Sequence, residues 1–225
     1  MKSTLLILAL LFALPFSVQS QSLKTLNKPI LADLDQVTPF QEGMAAVRRG
    51  NQWGFIDTVG NLVIDFRDDL VWNENPDAKD RGVLAVPYPR FRDGRCMFQA
   101  LGDDDIQVYG FIDQEGKTVI PAEYLNLTEF QDGYAVGILV RKTFRGQNRF
   151  QLNIFEYSFM EGVLNPEGEM AWPIAERENI LMQKRRYEMP GLTASLMGNE
   201  LLAVETAPGQ WEIRRMKLQP AIPQS

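Results

Sequence analysis

Hydrophobic and polar positions along the chain fall into two regimes. From Leu5 to Phe16 the apolar run is nearly unbroken. From Phe40 onward, apolar residues alternate with small or polar ones over short stretches, and glycine-containing turns separate the stretches. Alternation at period two is the mark of a half-buried strand. It predicts a strand through Ala45 and Val47, and a second over Trp53-Gly54-Phe55-Ile56-Asp57 with Trp53 and Phe55 on one face. A third strand follows at Leu62-Val63-Ile64, and Val83-Leu84-Ala85-Val86 suggests an additional one. Residues 175–188 are the stretch predicted helical. They are acidic early and basic late, as the helix dipole prefers, and Met189-Pro190-Gly191 ends them.

The pattern repeats. FQEGMAAV from Phe40 is followed by WGFIDTVGNLVI; FRDGRCMF from Phe91 by YGFIDQEGKTVIP; FQDGYAVG from Phe130, after a long insertion, by EGVLNPEGEMAWPI. A degraded copy runs from Glu200 as ELLAVETAPGQWEIRRM. In each copy the Phe (Phe40, Phe91, Phe130) is expected to be a buried anchor, and the Gly after the acidic residue to supply a positive φ. The glycine after the aromatic (Gly54, Gly110), with Gly162 at the same place in the third copy, removes a side chain where another backbone approaches. The quartets Asp57-Thr58-Val59-Gly60, Asp113-Gln114-Glu115-Gly116 and Asn165-Pro166-Glu167-Gly168 carry type I turn chemistry, with an Asx acceptor first and glycine last. Each copy is then a small antiparallel meander. It cannot bury its own face alone and must pack on its neighbours.

These motifs together resemble the WG repeat, also called the KWG repeat, of bacterial proteins. Residues 40–64 match it closely, 91–124 place Tyr109 at the Trp position, and 130–174 place Glu161 there with Asn165 for the Asp. The resemblance implies a β-rich repeat scaffold and no catalytic residues. The expected fold is therefore all-β: tandem antiparallel β-meander repeats in an open stack or solenoid. A propeller-like ring is the alternative, since its blades need about 40–45 residues and four strands each.

The first regime has a different meaning. Lys2, the Leu5–Phe16 run and Val18-Gln19-Ser20 have the layout of a secretory signal peptide over 1–20. The run is shorter than the roughly 20 residues a membrane-spanning helix needs. The expected organisation is a signal peptide (1–20), a lead-in (21–39), a repeat domain (40–216) and a flexible tail (217–225). The units fall at about 40–65, 91–124, 130–174 and, degenerate, 200–216. This implies an exported protein, periplasmic or extracellular, with no transmembrane segment after cleavage.

Composition narrows the chemistry. The chain has 225 residues, no histidine, one cysteine (Cys96) and a formal charge of −6. Triads and histidine bases fall away, as do Cys/His zinc sites and internal disulfides. Acidity argues against nucleic acid, and no cofactor or metal is expected. Asp57 and Asp113 as a catalytic carboxylate pair compete with their turn role, and Asn165 at the third equivalent position favours the turn. Gly116-Lys117-Thr118 lies in a hairpin and lacks the rest of a phosphate loop. Asp103-Asp104-Asp105 is a solvated hairpin tip, and Asn126-Leu127-Thr128 a chance sequon. Cys96 is expected to be a buried, inert thiol.

The departure from the repeat is the insertion of the third unit, where Arg141, Lys142, Arg145 and Arg149 cluster. It is a candidate electropositive surface for an anionic partner. Its bland reading is an exposed hairpin, whose charge can also pair with the acidic loop of the second unit. The functional expectation is an exported, non-enzymatic binding or scaffold module for an unknown protein or envelope component. The alternative is a carboxylate-based hydrolase of cell-envelope glycans, with two carboxyls about 5–10 Å apart in a cleft. Glycan binding on exposed, coplanar Trp72, Trp172 and Trp211 is a third reading.

Overall fold

A computed structural model describes residues 26–102 and 105–217. Residues 1–25, with the signal peptide expected over 1–20, and Asp103, Asp104 and residues 218–225 lie outside the described residues. The chain divides into two compact units, 1–32 and 33–225. Of the first, only residues 26–32 are described, and they carry a short turn. The described residues of the second contain thirteen strands and one short 3₁₀ turn.

The strands are β1 (Gln36–Val37), β2 (Met44–Arg49), β3 (Gln52–Asp57), β4 (Leu62–Arg67), β5 (Cys96–Leu101), β6 (Gln107–Ile112) and β7 (Thr118–Leu127). They continue as β8 (Ala135–Gln147), β9 (Asn153–Leu164), β10 (Met170–Arg177), β11 (Ala194–Gly198), β12 (Leu201–Ala207) and β13 (Gln210–Arg215). All pairings are antiparallel. Strands β1–β4 form one sheet, β5–β10 a second in chain order, and β11–β13 a third. Among the described residues no strand of the first sheet pairs with the third, and β13 has β12 on one side only. The repeats thus form an open array.

The sequence motifs build this array through three contacts. First, the pre-glycine acidic residue and the glycine both take positive φ: Glu42 50° and Gly43 79°, Asp93 49° and Gly94 69°, Asp132 52° and Gly133 79°. Two consecutive positive values make a type I′ hairpin turn, whose twist suits antiparallel strands. The sequence predicts this for the glycine alone. The acidic side chain then links successive units. Glu42 accepts the N–H groups of Asp93 (2.7 Å) and Gly94 (2.8 Å), and Asp93 accepts that of Gly133 (2.7 Å).

Second, the glycine after the aromatic sits under a neighbouring strand. A Cβ at Gly54 would lie 2.8 Å from the Ile64 carbonyl oxygen, and one at Gly110 2.4 Å from that of Ile120. Third, phenyl rings couple the units. Phe91 packs on Phe55 and Phe130 on Phe111, each with centroids 4.8 Å apart. Phe40 departs from its expected burial and is 50% exposed; among the described residues no ring faces it as Phe55 faces Phe91.

The core consists of the junctions between units. Trp53 and Phe55 of unit one pack with Cys96 and Phe98 of unit two. Tyr109 and Phe111 of unit two pack with Ala135 and Leu139 of unit three. Val136 and Val163 of unit three pack with Leu202 and Val204 of unit four. The front of each meander thus lies on the back of the next.

Two predicted elements differ. Residues 175–188 form no helix: β10 continues through Arg177, paired with β9, and an irregular strap follows. Pairing to the long β9 edge supplies ladder hydrogen bonds that a short isolated helix lacks. Ile180, Met182 and Tyr187 of the strap then pack singly onto the third junction. Gly82–Ala85 is a 3₁₀ turn rather than a strand. Gly82 has φ +64°, and the Val83 N–H donates to Asn126 Oδ1 at 3.2 Å.

Candidate functional site: the β8–β9 hairpin

Strands β8 and β9 pair from Ala135↔Leu164 out to Gln147↔Asn153. Their flanking partners stop earlier. The β7 pairing ends at Leu139, and the β10 pairing ends at Phe159. Beyond those residues the hairpin is a two-stranded ribbon that no further strand among the described residues flanks. Such a ribbon is marginally stable in water without local support, and three features supply it. Phe144 and Phe155 are cross-strand partners with ring centroids 5.7 Å apart. Arg145 pairs with Glu156, with Nε 2.6 Å from Oε2. At the tip, Asn148 Oδ1 accepts the N–H groups of Phe150 (2.9 Å) and Leu152 (3.0 Å). Gln151 closes the turn at φ +62°.

The tip reuses the turn of the repeat. Asp57 accepts from Val59 and Asn61, Asp113 from Glu115 and Lys117, and Asn165 from Glu167 and Glu169, in the same geometry. The sequence hides the tip turn because Gln151 stands where the repeat has glycine.

The four basic residues all lie on this ribbon, but in different settings. Arg141 is exposed at its base, opposite Ser158. Lys142 lies over two rings, with Nζ 4.6 Å from the Phe155 centroid and 5.6 Å from that of Tyr157. Arg145 is committed to Glu156. Arg149 sits in the tip turn, its guanidinium 4.7 Å from the Phe150 centroid. Sequence reasoning named the cations and missed the apolar residues between them: Phe144, Phe150, Leu152, Ile154 and Phe155 are all exposed. The available signal was apolar residues persisting in an insertion that has no neighbouring unit to cover it. The acidic loop of the second unit does not neutralise the ribbon through its described member, because Asp105 pairs with Lys184 of the strap at 3.3 Å.

Other candidates are occupied structurally. Asp57 and Asp113 each hold their own turn, and hydrogen bonds from the Asn61 side chain and backbone keep the Asp57 carboxyl below its ordinary range. A groove of about 540 Å³ beside the I′ turns is lined by Glu42, Asp93 and Glu129, among others. Glu42 and Asp93 accept backbone N–H groups of the next unit, and Glu129 is bidentate with Arg90. Asn126 of the sequon is buried, its amide bonded to Val83, Leu127 and the Pro190 carbonyl. Glu161, at the Trp position of unit three, is fully buried. It accepts from Arg177, from the Thr193 N–H (2.6 Å) and hydroxyl (2.8 Å), and from Ala194, which fastens unit four to unit three. Trp72 and Trp172 pack against the junction cores, leaving Trp211 exposed without the coplanar partners a glycan platform needs. Among the described residues no group of three His, Cys, Asp or Glu side chains can hold a metal ion. No helix there is long and apolar enough to cross a membrane.

Among protein families, the model of the WG containing repeat matches residues 25–53, 53–67 and 109–136. Those residues are WG repeats. The matches cover unit one and the second half of unit two, running into the I′ turn of unit three. The remainder of unit three, where Glu161 replaces the Trp and the ribbon is inserted, lies outside them. Comparison with curated proteins and with solved structures gives no match. The ribbon thus lies outside the matched repeats.

Proposed function

We propose that this protein is exported and acts as a non-enzymatic binding or scaffold module. Its contact surface is the β8–β9 ribbon, and its partner an anionic component of the cell envelope. One observation carries the reading: the ribbon leaves the repeat core at Val140 with basic and large apolar side chains exposed. Exposed apolar residues rimmed by polar ones mark interaction sites. The signal-like segment at 1–20 supports export.

The test is capture from solubilised envelope fractions by the wild type and by a Lys142→Glu/Arg149→Glu variant. Specific capture lost in the variant is the expected result. Equal capture by both, or measurable turnover of an envelope glycan with no partner retained, sinks the reading. Export is read separately by cell fractionation and N-terminal sequencing, with Gln21 expected as the first residue.

A further inference from the structure

Resting on the reading of the ribbon as the contact surface, we infer that its partner is a membrane: the tip inserts into the interfacial layer of an anionic lipid bilayer. The first argument is the distribution of apolar groups. Phe144 and Phe155 share one face of the ribbon with the Lys142–Tyr157 pair. A bulge at Arg145 follows, and Ile154 faces the opposite side, since successive strand residues alternate. Phe150 and Leu152 occupy the turn itself. These five side chains are 42–67% exposed. A protein surface covers one face of a ribbon; apolar groups on both faces and at the end suit a medium that surrounds the tip.

The second argument is charge. Residues 141–157 carry Arg141, Lys142, Arg145 and Arg149 against Glu156 alone, in a chain of net charge −6. The ribbon is therefore the part of the molecule that an anionic surface attracts while the rest is repelled, which orients the tip downward. Lys142 and Arg149 already lie over aromatic rings. That is the arrangement in which a long basic side chain keeps its stem on apolar surface and its charge at headgroup level.

The geometry also sets the depth. From Lys142 to Gln147 the ribbon extends about 16 Å at strand rise, enough for its tip to enter the roughly 5–10 Å occupied by interfacial elements. It goes no deeper, because past the Lys142–Tyr157 pair no described strand flanks its two edges, whose N–H and C=O groups then need water or headgroups.

The experiment is vesicle co-sedimentation of the chain from Gln21, which omits the separately partitioning Leu5–Phe16 run and keeps the whole 33–225 unit. Mixed phosphatidylglycerol/phosphatidylcholine vesicles are compared with phosphatidylcholine alone. Preferential binding to the anionic vesicles, weakened by salt, is expected. Phe150→Ser/Leu152→Ser should lower partitioning at least about tenfold. Arg141→Gln/Arg149→Gln should lower it about tenfold and flatten its salt dependence. Circular dichroism and the thermal midpoint should stay close to wild type, since both pairs are exposed. Equal partitioning of wild type and tip variants onto vesicles overturns the inference. No vesicle binding, with hairpin-dependent capture of an envelope protein retained, overturns the membrane and leaves the contact surface standing. Loss of both overturns the two together.

Discussion

Asp57 and Asn165 occupy equivalent turn positions with opposite side-chain chemistry, and each has the neighbour it needs. Asp57 Oδ2 accepts from Asn61 Nδ2 at 3.0 Å, whereas Asn165 Nδ2 donates to Glu169 Oε2 at 3.0 Å. Asp57→Asn should therefore weaken the turn, and Asp57→Asn/Asn61→Glu should restore it, read as shifts in the urea midpoint. The pH profile follows from the lowered Asp57 carboxyl. Its contribution is complete above the ordinary value of 3.8 and is lost as pH falls through the lowered value. Asp57→Asn should flatten that part of the acid limb. Gly110 is constrained by space. A Cβ there would meet the Ile120 carbonyl at 2.4 Å, with backbone of Pro121 and Ala122 at 2.8 Å. Gly110→Ala should cost about 2–4 kcal/mol by chemical denaturation, since backbone rather than a yielding side chain must move. This glycine's role was legible in sequence because it recurs at the same motif position in three units, beside aromatics in the first two. The φ of Glu42, Asp93 and Asp132 was not, because an acidic residue carries no local mark of the left-handed region.

At the scale of elements, the same motif position has different energetics depending on what lies in front of it. Trp53 is 1% exposed at the first junction, while Trp211 at the equivalent place in β13 is 43% exposed, beneath the Arg81 guanidinium. Trp53→Ala should cost about 3–5 kcal/mol. Trp211→Ala should cost less than about 1 kcal/mol. Comparable losses from the two would refute the stacking described above. The predicted helix at 175–188 shows the converse limit. Its charge order suited a helix, yet β9 offered an edge and Glu161 held Arg177 beside Thr193. Neither fact is local to the segment, so no periodicity within it could report them.

For the whole molecule, an open array has no closing contact, so each junction depends on its own packing. Cys96 reports on the first. It is 1% exposed among Trp53, Phe55 and Phe91, and burial pushes its thiol well above the ordinary range. At neutral pH it should resist aromatic disulfide reagents until the junction opens, with a labelling rate that tracks denaturant. Rapid labelling of the native protein would show that unit one detaches independently.

The sequence by itself determined the strands, the Asx turns, the close-approach glycines and the meander repeat. Each of these is set by a few consecutive residues and is written again in the next copy. Tertiary structure decided which faces meet, the link from each I′ turn to the next, the use of Glu161 as a buried fastener and the fate of the strap. It also decided that the apolar residues between Arg141 and Tyr157 remain uncovered. Burial is a property of neighbours distant in sequence, and this hairpin extends past the last strand able to cover it.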